Sequence, residues 1–405
     1  MDKDSSSFKY KIRKLGAEDA NEYNDLLCYA FQITEQELQK SGWRNDEIMQ
    51  SKFPVLERAD VLGCFDGRKL ISQFASYPLD MNIYGKVYPV GFVTSVCTYP
   101  EYSGHGIMKK LMTMTMERLK NEGRYFALLY PYSIPLYRRL GWEIISNKIS
   151  YEVKDFQLPK ISEVKGHIVR VDWLNDDFKK LHNEFAKATH GCLFRNILAW
   201  EEYWRWDEDD TNVAVYYDEN DKATGYIVYL IESDIMYIKE MIYLNRDAHN
   251  GLWNYINAHQ SMIDEVKGNT YYSEPIAFEM GDSDIKETIS PYAMGRILDV
   301  KNFFKDYICS KRANGQIIKF VISDRLLEWN NLEINIEFKN ERCTETEKET
   351  DNIVKMDIGT LTTLLIGYKK ASSLFEMEKI ESTEKTIEIL DDLLLHKLPY
   401  ISDYI

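Results

Sequence analysis

The sequence predicts a mixed fold, part α/β and part α+β, divided into more than one domain. Helix-type and strand-type hydrophobic patterns alternate through the first 150 residues, and a second stretch of the same kind follows a loop-like segment. A third segment carries its strand patterns first and its helix patterns after them. The chain has 405 residues, of which 44% are hydrophobic and 28% charged, so it is long enough for two or three ordinary cores.

Composition and charge limit the class of function. The formal net charge is −15, from 50 basic and 65 acidic residues, which argues against a general nucleic-acid binder and suits a cationic substrate. No apolar run is long enough to cross a membrane, and the N-terminus lacks the apolar core of a secretory signal. We therefore expect a cytoplasmic protein without membrane contact. The six cysteines are scattered without a CxxC pair, so no metal site is predicted.

The elements of the first segment follow from its patterning. "AEDANEYNDLLCYAFQI" predicts a helix that opens in acidic residues, and the region from Val61 to Pro100 predicts successive strands. Hairpin turns are indicated by Asp66-Gly67 and around Gly85. An amphipathic helix is predicted over 107–122, and the apolar strand "RYFALLY" follows it.

The second and third segments read in the same way. "NVAVYYD" and "DENDKATGYIVYLI" predict strands, and "GLWNYINAHQSMID" predicts a helix. Beyond "PYAMGRILDV", the stretches "QIIKFVISD", "LEINIEF" and "NIVKMDIG" predict strands. "TLTTLLIGYKKASSLF" and "EKTIEILDDLLLHKL" then predict helices, and the last residues, "PYISDYI", are aromatic and apolar enough to be packed.

One strand-to-helix junction carries a possible binding site. In "VCTYPEYSGHGIMKKL", Gly104 and Gly106 come directly before the helix that starts at Ile107. A helix N-terminus offers unpaired backbone N–H groups and the positive end of the helix dipole, and glycine lets an anion approach the backbone. A pyrophosphate is the natural guest. The glycines alone fit a plain turn as well.

A second motif, "ALLYPYSIPLYRRLGWEII" at residues 127–145, makes the pattern specific. Together with "SGHGIM", it resembles the acetyl-CoA-binding core of the Gcn5-related N-acetyltransferases (GNAT). The length, "PYAMGRILDV" and the apolar terminus look like the enhanced-intracellular-survival (Eis) type. That resemblance implies an N-terminal catalytic GNAT domain at 1–150, a degenerate GNAT-like domain at 151–290 and a sterol-carrier-protein-like domain at 291–405.

The resemblance also implies which residues bind acetyl-CoA. The family's pyrophosphate loop begins with Arg or Gln, and this chain has Ser103 there, so the phosphates would rest on backbone N–H groups. The end of the preceding strand would pair with the pantetheine arm as an added strand. The cofactor-binding residues implied are Val96, Cys97, Thr98, Ser103, Gly104, His105, Gly106, Ile107, Met108, Lys109, Tyr132 and Ser133.

Two catalytic groups are implied in the same way. Tyr137 matches the family's general acid, which protonates the departing thiolate. The C-terminal carboxylate, here that of Ile405, would accept the proton of the acceptor amine, and the third domain would position it. Tyr23, Phe31 and Trp43 lie where the first helices line the acceptor pocket in relatives.

The function implied is acetyl transfer from acetyl-CoA to a primary amine in a ternary complex. The acceptor would be an aminoglycoside-like or polyamine-like small molecule or a lysine. A trimer or hexamer is implied by resemblance. The alternative is a non-catalytic carrier or scaffold that binds acyl-CoA or lipid.

Overall fold

The computed structural model describes residues 9–34, 52–205, 211–272 and 274–404, which form three β-sheets with helices packed on them. The mixed fold predicted from the sequence is confirmed. Within the described residues, no helix is long and apolar enough to cross a membrane, and no group of acidic, histidine or cysteine side chains could hold a metal ion.

The first sheet is built mainly from the N-terminal 150 residues. Its path is β1-β2-β3-β4-β5-β15-β6, and β9 pairs with β3 at the side. The strands are β1 (Lys11–Lys14), β2 (Asp60–Asp66), β3 (Lys69–Ile83), β4 (Lys86–Thr98), β5 (Phe126–Leu129), β6 (Glu143–Ile144), β9 (Leu193–Phe194) and β15 (Met294–Ile297).

Strand β4 opens away from its neighbour β5 at one end. The two strands are parallel and pair only from Val90 to Val93, whereas β4 continues to Thr98. A bulge lies at this point, because the pairing with β3 shifts register and Ser95 adopts a positive φ of 52°. The last residues of β4 therefore have no neighbouring strand on the β5 side among the described residues, which leaves an edge open to a ligand.

Four described helices belong to this domain: α1 (Ala20–Phe31), α2 (Phe53–Arg58), α3 (Ile107–Asn121) and α4 (Ile134–Arg138). Helix α3 packs because its apolar residues recur at helical spacing. Leu111, Met112, Met116 and Leu119 are all buried against the sheet. This packing fixes the N-terminus of α3 beside the open end of β4.

The second sheet has the path β14-β7-β13-β12-β11-β10-β8. Its strands are β7 (Asn147–Lys154), β8 (His167–Val171), β10 (Asn212–Tyr217), β11 (Ala223–Glu232), β12 (Ile235–Tyr243), β13 (Glu265–Thr270) and β14 (Lys286–Pro291). The described helices of this domain are α5 (Asp176–Ala188), α6 (Ile197–Trp204) and α7 (Arg246–Asn257).

The third sheet, β18-β17-β16-β19, is covered by helices of the C-terminal segment. Its strands are β16 (Asn314–Ser323), β17 (Leu332–Lys339), β18 (Arg342–Glu345) and β19 (Ile353–Asp357), and the helices are α8 (Val300–Asp306), α9 (Ile358–Leu365), α10 (Ala371–Glu376) and α11 (Glu384–Leu393). Its apolar side chains belong to the same buried cluster as those of the first domain.

The strand from the "PYAMGRILDV" stretch joins the first and third domains. The sequence places this stretch at the start of the third segment, yet β15 inserts between β5 and β6 of the first sheet. Arg296 is fully buried there, and its guanidinium donates to Asp324 at 2.7 and 2.5 Å. The guanidinium also donates to the backbone carbonyl of Leu140, which lies within the second motif, residues 127–145.

Candidate active site

The N-terminus of α3 forms an open cradle for an anion. Gly104 and Gly106 have positive φ values of 81° and 73°, and a Cβ at either position would meet nothing within 4 Å. No side chain caps the helix. The backbone N–H groups of residues 104–109 have no acceptor among the described residues. These free donors and the helix dipole suit a phosphate.

A groove of about 680 Å³ leads from this cradle along the open edge of β4. Its walls are the end of β4, the turn that follows, helix α4 and the end of α1. The groove is lined by Tyr29, Ala30, Phe31, Gln32, Val96, Cys97, Thr98, Pro100, Ser103, Met108, Tyr132, Leu136 and Tyr137. The mostly apolar lining suits the pantetheine arm of coenzyme A.

A second cavity of about 490 Å³, which we term the acceptor cavity, lies on the other side of the β4 bulge. Aromatic rings dominate its walls, and its charged side chains come from α6 and from the start of α2. It is lined by Leu27, Phe31, Ile33, Lys52, Tyr77, Val93, Thr94, Ser95, Val96, Tyr130, Tyr132, Tyr137, Glu202 and Tyr404. The groove and the acceptor cavity share Phe31, Val96, Tyr132 and Tyr137.

Tyr137 lies where the two spaces meet. Its side chain is only 6% exposed, and its ring packs edge-on against Trp142. The hydroxyl has no hydrogen-bond partner among the described residues. Burial raises the pKa of Tyr137 to about 12, and the nearby Cys97 adds to this, so the phenol is protonated at neutral pH. A protonated, unengaged phenol at this junction can donate a proton.

The acceptor cavity holds an incompletely neutralised group of charges. Glu202 accepts a hydrogen bond from the Tyr77 hydroxyl at 2.8 Å and forms an ion pair with Arg205 at 2.5 Å. Lys52 is 7% exposed and forms no ion pair or hydrogen bond through its amine with a described residue. Burial, with Arg205 as the next cause, lowers the pKa of Lys52 to about 8. Two buried cations thus face one carboxylate.

The C-terminal segment reaches the acceptor cavity through a buried ion-pair cluster. Arg195 donates to Asp403 at 2.6 Å and to Glu240 at 2.7 and 2.9 Å, and its side chain is wholly buried. The Tyr292 hydroxyl donates to the backbone carbonyl of Asp403 at 3.1 Å. Beyond this cluster, Tyr404 enters the cavity wall. The ion pair with Arg195 therefore holds the Asp403 carboxylate in place.

The remaining predicted residues have the following places. Phe31 lines both spaces, whereas Tyr23 does not line either one: its ring is buried in the core and its hydroxyl donates to Ser95 at 2.8 Å. Tyr23 thus supports the bulge from behind the cavity wall. The His105 ring lies beside Tyr10, and Ser133 is the N-cap residue of α4. Trp43 and Ile405 lie outside the described residues.

In the second domain, side chains of the protein itself occupy the helix N-terminus that corresponds to the N-terminus of α3. The N-terminus of α7 follows β12 as that of α3 follows β4, but the Asn245 side chain caps it by accepting from Ala248 N–H. The Glu279 carboxylate pairs with Arg246 and His249 of the first turn. An anion from solution would have to displace Glu279, which supports the expectation of a degenerate domain.

Several residues at the site were not predicted from the sequence. Tyr77 and Ser95 lie in regions predicted only as strands, and Tyr130 ends the predicted strand "RYFALLY". Lys52 lies in a stretch where the sequence predicted no element, and Glu202 comes from the second domain. No local pattern distinguishes these side chains from ordinary core or surface residues. A positive φ at a non-glycine residue such as Ser95 leaves no signature in a single sequence.

Comparisons with known proteins agree with this arrangement. A family model described as an acetyltransferase (GNAT) domain matches residues 11–145, a second model of the same description matches 191–297, and a sterol carrier protein domain model matches 300–402. A search of curated protein sequences found no significant match.

Among solved structures, a probable N-acyltransferase of unknown function from Enterococcus faecalis V583 has 26% identity and a TM-score of 0.89, with 98% of this chain and 99% of that chain covered. A GCN5-related N-acetyltransferase from Anabaena variabilis ATCC 29413 has 20% identity and a TM-score of 0.86, over 98% and 100%. Eis1 from Mycobacterium abscessus has 17% identity and a TM-score of 0.80, over 98% and 100%.

The chain is therefore an acetyltransferase of the GNAT class. Within that class, two GNAT domains followed by a sterol carrier protein domain make it an Eis-like acetyltransferase, as the sequence motifs predicted. GNAT domains generally use acetyl-CoA as the acetyl donor and an amine as the acceptor.

Proposed function

We propose that the N-terminal domain transfers acetyl from acetyl-CoA directly to a primary amine bound in the acceptor cavity. The observation that carries this proposal is the junction at Tyr137. A groove that ends in a phosphate cradle meets a separate, aromatic-walled cavity at a protonated phenol. Two spaces that share one wall allow both substrates to be bound together, so no acyl-enzyme is required.

The groove fits the donor at several positions. The N–H groups of residues 104–109 would hold the pyrophosphate, and the absence of any atom near a Cβ at Gly104 or Gly106 leaves room for it. Val96, Cys97 and Thr98 would pair with the pantetheine amides along the open edge of β4. Bound acetyl-CoA would supply the activated acetyl thioester. Ser103 lines the groove at the position where the family has Arg or Gln. The pyrophosphate would therefore be held by backbone N–H groups and not by an arginine side chain.

In the proposed reaction, Tyr137 supplies one proton and the carboxylate of Ile405 accepts another. The acceptor nitrogen forms a bond to the acetyl carbon, the C–S bond breaks, and Tyr137 gives its proton to the leaving sulfur. The carboxylate of Ile405 accepts the proton of the amine. Support for this base comes from Tyr404, which lines the acceptor cavity and lies in contact with the Tyr130 ring at 4.9 Å between centroids.

The acceptor would be a polyamine-like or aminoglycoside-like small molecule or a lysine. The tyrosine and phenylalanine rings in the cavity wall favour a cation. A release assay for the coenzyme A thiol with a panel of amines tests the proposal. Tyr137→Phe should lower kcat by about 100- to 10,000-fold with little change in the KM for acetyl-CoA.

Tyr125→Phe is a matched control, because the Tyr125 hydroxyl makes no hydrogen bond to a described residue and does not line the site. Equal rates for Tyr137→Phe and Tyr125→Phe would refute the role of Tyr137. Appending a few residues after Ile405 tests the base: unchanged turnover would remove Ile405 from the mechanism.

The carrier alternative lacks comparable support. The apolar residues between the third sheet and its helices pack into one continuous buried cluster with the first domain. Phe320, Ile336, Phe338 and Leu361 have no exposed surface. The absence of thiol release with every amine tested would favour the carrier.

A further inference from the structure

Lys52, in the wall of the acceptor cavity, is a cation that no described residue neutralises. It immediately precedes α2, its side chain is 7% exposed, and its amine forms no ion pair or hydrogen bond with a described residue. A buried ammonium normally has an anionic partner, because burying the charge without one is unfavourable. A buried cation that no described residue pairs with, beside a cavity, points to an anion that arrives with a ligand.

The nearest carboxylate does not fill this position. Glu202 is within electrostatic range of Lys52 but is already paired with Arg205 and bonded to Tyr77. Arg205 is itself 6% exposed, and its Nη1 has no hydrogen-bond partner among the described residues. In the part of the chain that the structure describes, this buried group therefore carries two positive charges and one negative charge, and some of its donors have no acceptor. Burial first, and then the charge of Arg205, lowers the pKa of Lys52.

We propose that Lys52 anchors an anionic group of the acceptor, so that the preferred substrates are primary amines that also carry a carboxylate or a similar anion. This inference rests on the proposed acceptor cavity and narrows its substrate class, so that among the acceptors proposed above the polycationic ones would be the poorer substrates. An acceptor of this kind holds its amine near Tyr137 and its anion at Lys52, and Arg205 adds to the positive potential there. A dication places a second positive charge against Lys52 and is disfavoured.

The test uses three matched acceptor series of three to eight carbons: ω-amino carboxylates, the corresponding ω-amino amides, and the corresponding diamines. At the best chain length, kcat/KM of the wild type should be about 10- to 100-fold higher for the carboxylate than for the amide, which is the usual strength of a hydrogen bond to a charged group. The diamine should be the poorest acceptor. Lys52→Met should lower kcat/KM for the carboxylate about 10- to 100-fold more than for the amide, so that the preference for the carboxylate is lost. Lys52→Arg should retain part of that preference.

Lys301→Met is the control, because Lys301 lies on α8 and pairs with Glu345 away from the site. A second readout does not need turnover: calorimetric binding of the N-acetylated amino carboxylate should weaken by a similar factor in Lys52→Met, with thermal melting used to confirm folding.

Three results would overturn the inference: no preference for the carboxylate at any length, an equal loss in Lys52→Met for all three series, or a mass gain of one acetyl group on Lys52 itself. The first two leave the proposed function intact if simple amines still release thiol. The absence of thiol release with any amine would refute the proposed function, and the binding measurement would then decide the role of Lys52.

Discussion

The buried cluster around Arg195 makes a quantitative prediction about how the C-terminal segment is held. Arg195, Glu240 and Asp403 have side chains that are 0%, 2% and 3% exposed, and one guanidinium serves both carboxylates. Arg195→Met leaves two buried carboxylates without a cation, which costs roughly 3–5 kcal/mol of unfolding free energy. Asp403→Asn keeps the ion pair between Arg195 and Glu240 and leaves an amide oxygen that can accept from Arg195. The unfolding free energy should therefore fall by only about 1 kcal/mol.

The pH dependence of this difference follows from the sign of the pKa shifts. Burial alone would raise the pKa of Glu240, but the ion pair with Arg195 outweighs it and lowers the pKa to about 2. In Arg195→Met, burial acts without this opposition, so the carboxylate pKa rises above its unfolded value. A carboxylate with a pKa higher in the folded state than in the unfolded state makes the unfolding free energy fall as pH increases. The deficit of the variant should therefore be larger at pH 8 than at pH 5.

Urea unfolding at both pH values measures the stability, and the release of C-terminal residues by a carboxypeptidase measures how firmly the segment is docked. Both variants should release these residues faster than the wild type, and Asp403→Asn should lower kcat with little change in the KM for acetyl-CoA. A deficit for Arg195→Met within about 1 kcal/mol of that for Asp403→Asn would refute the argument that the cluster depends on its single cation.

Two further predictions concern the cradle and acid stability. Gly106→Ala should raise the KM for acetyl-CoA about tenfold, because alanine strains the positive φ and places a methyl group where the phosphate approaches. Gly85→Ala is the control, because alanine is strained in the same way there but lies in open space on the β3–β4 hairpin, so KM should not change. Similar KM values in the two variants would contradict phosphate binding at the N-terminus of α3. Burial lowers the pKa of His182 and of His190 to about 4, so the unfolded state takes up protons first as pH falls below about 6.5. The unfolding free energy should fall by about 2 kcal/mol per histidine between pH 7.5 and 5. Urea titrations of His190→Asn should show a smaller decrease than the wild type. An equal decrease would exclude His190 as a cause of the acid sensitivity.

Much of the fold followed from short-range patterning. The spacing of Leu111, Met112 and Leu119 predicts α3 to within one residue at its end, and Asp66-Gly67 predicts the turn between β2 and β3. The predicted helix "TLTTLLIGYKKASSLF" instead divides into α9 and α10 around Gly367, which has a positive φ of 78°. Glycine at that φ ends a helix, whereas apolar periodicity continues across it.

The sequence by itself determined the chemistry that depends on neighbours along the chain. Gly104, Gly106 and Tyr137 lie within two local motifs, and local backbone preference was enough to predict a turn, a helix N-terminus and a tyrosine on a short helix. Only the tertiary structure decided which distant side chains share the acceptor cavity with them. Lys52, Glu202 and Tyr404 meet there because three domains pack around β15 and the C-terminal segment, and such contacts arise from burial and ion pairing across the fold rather than from sequence spacing.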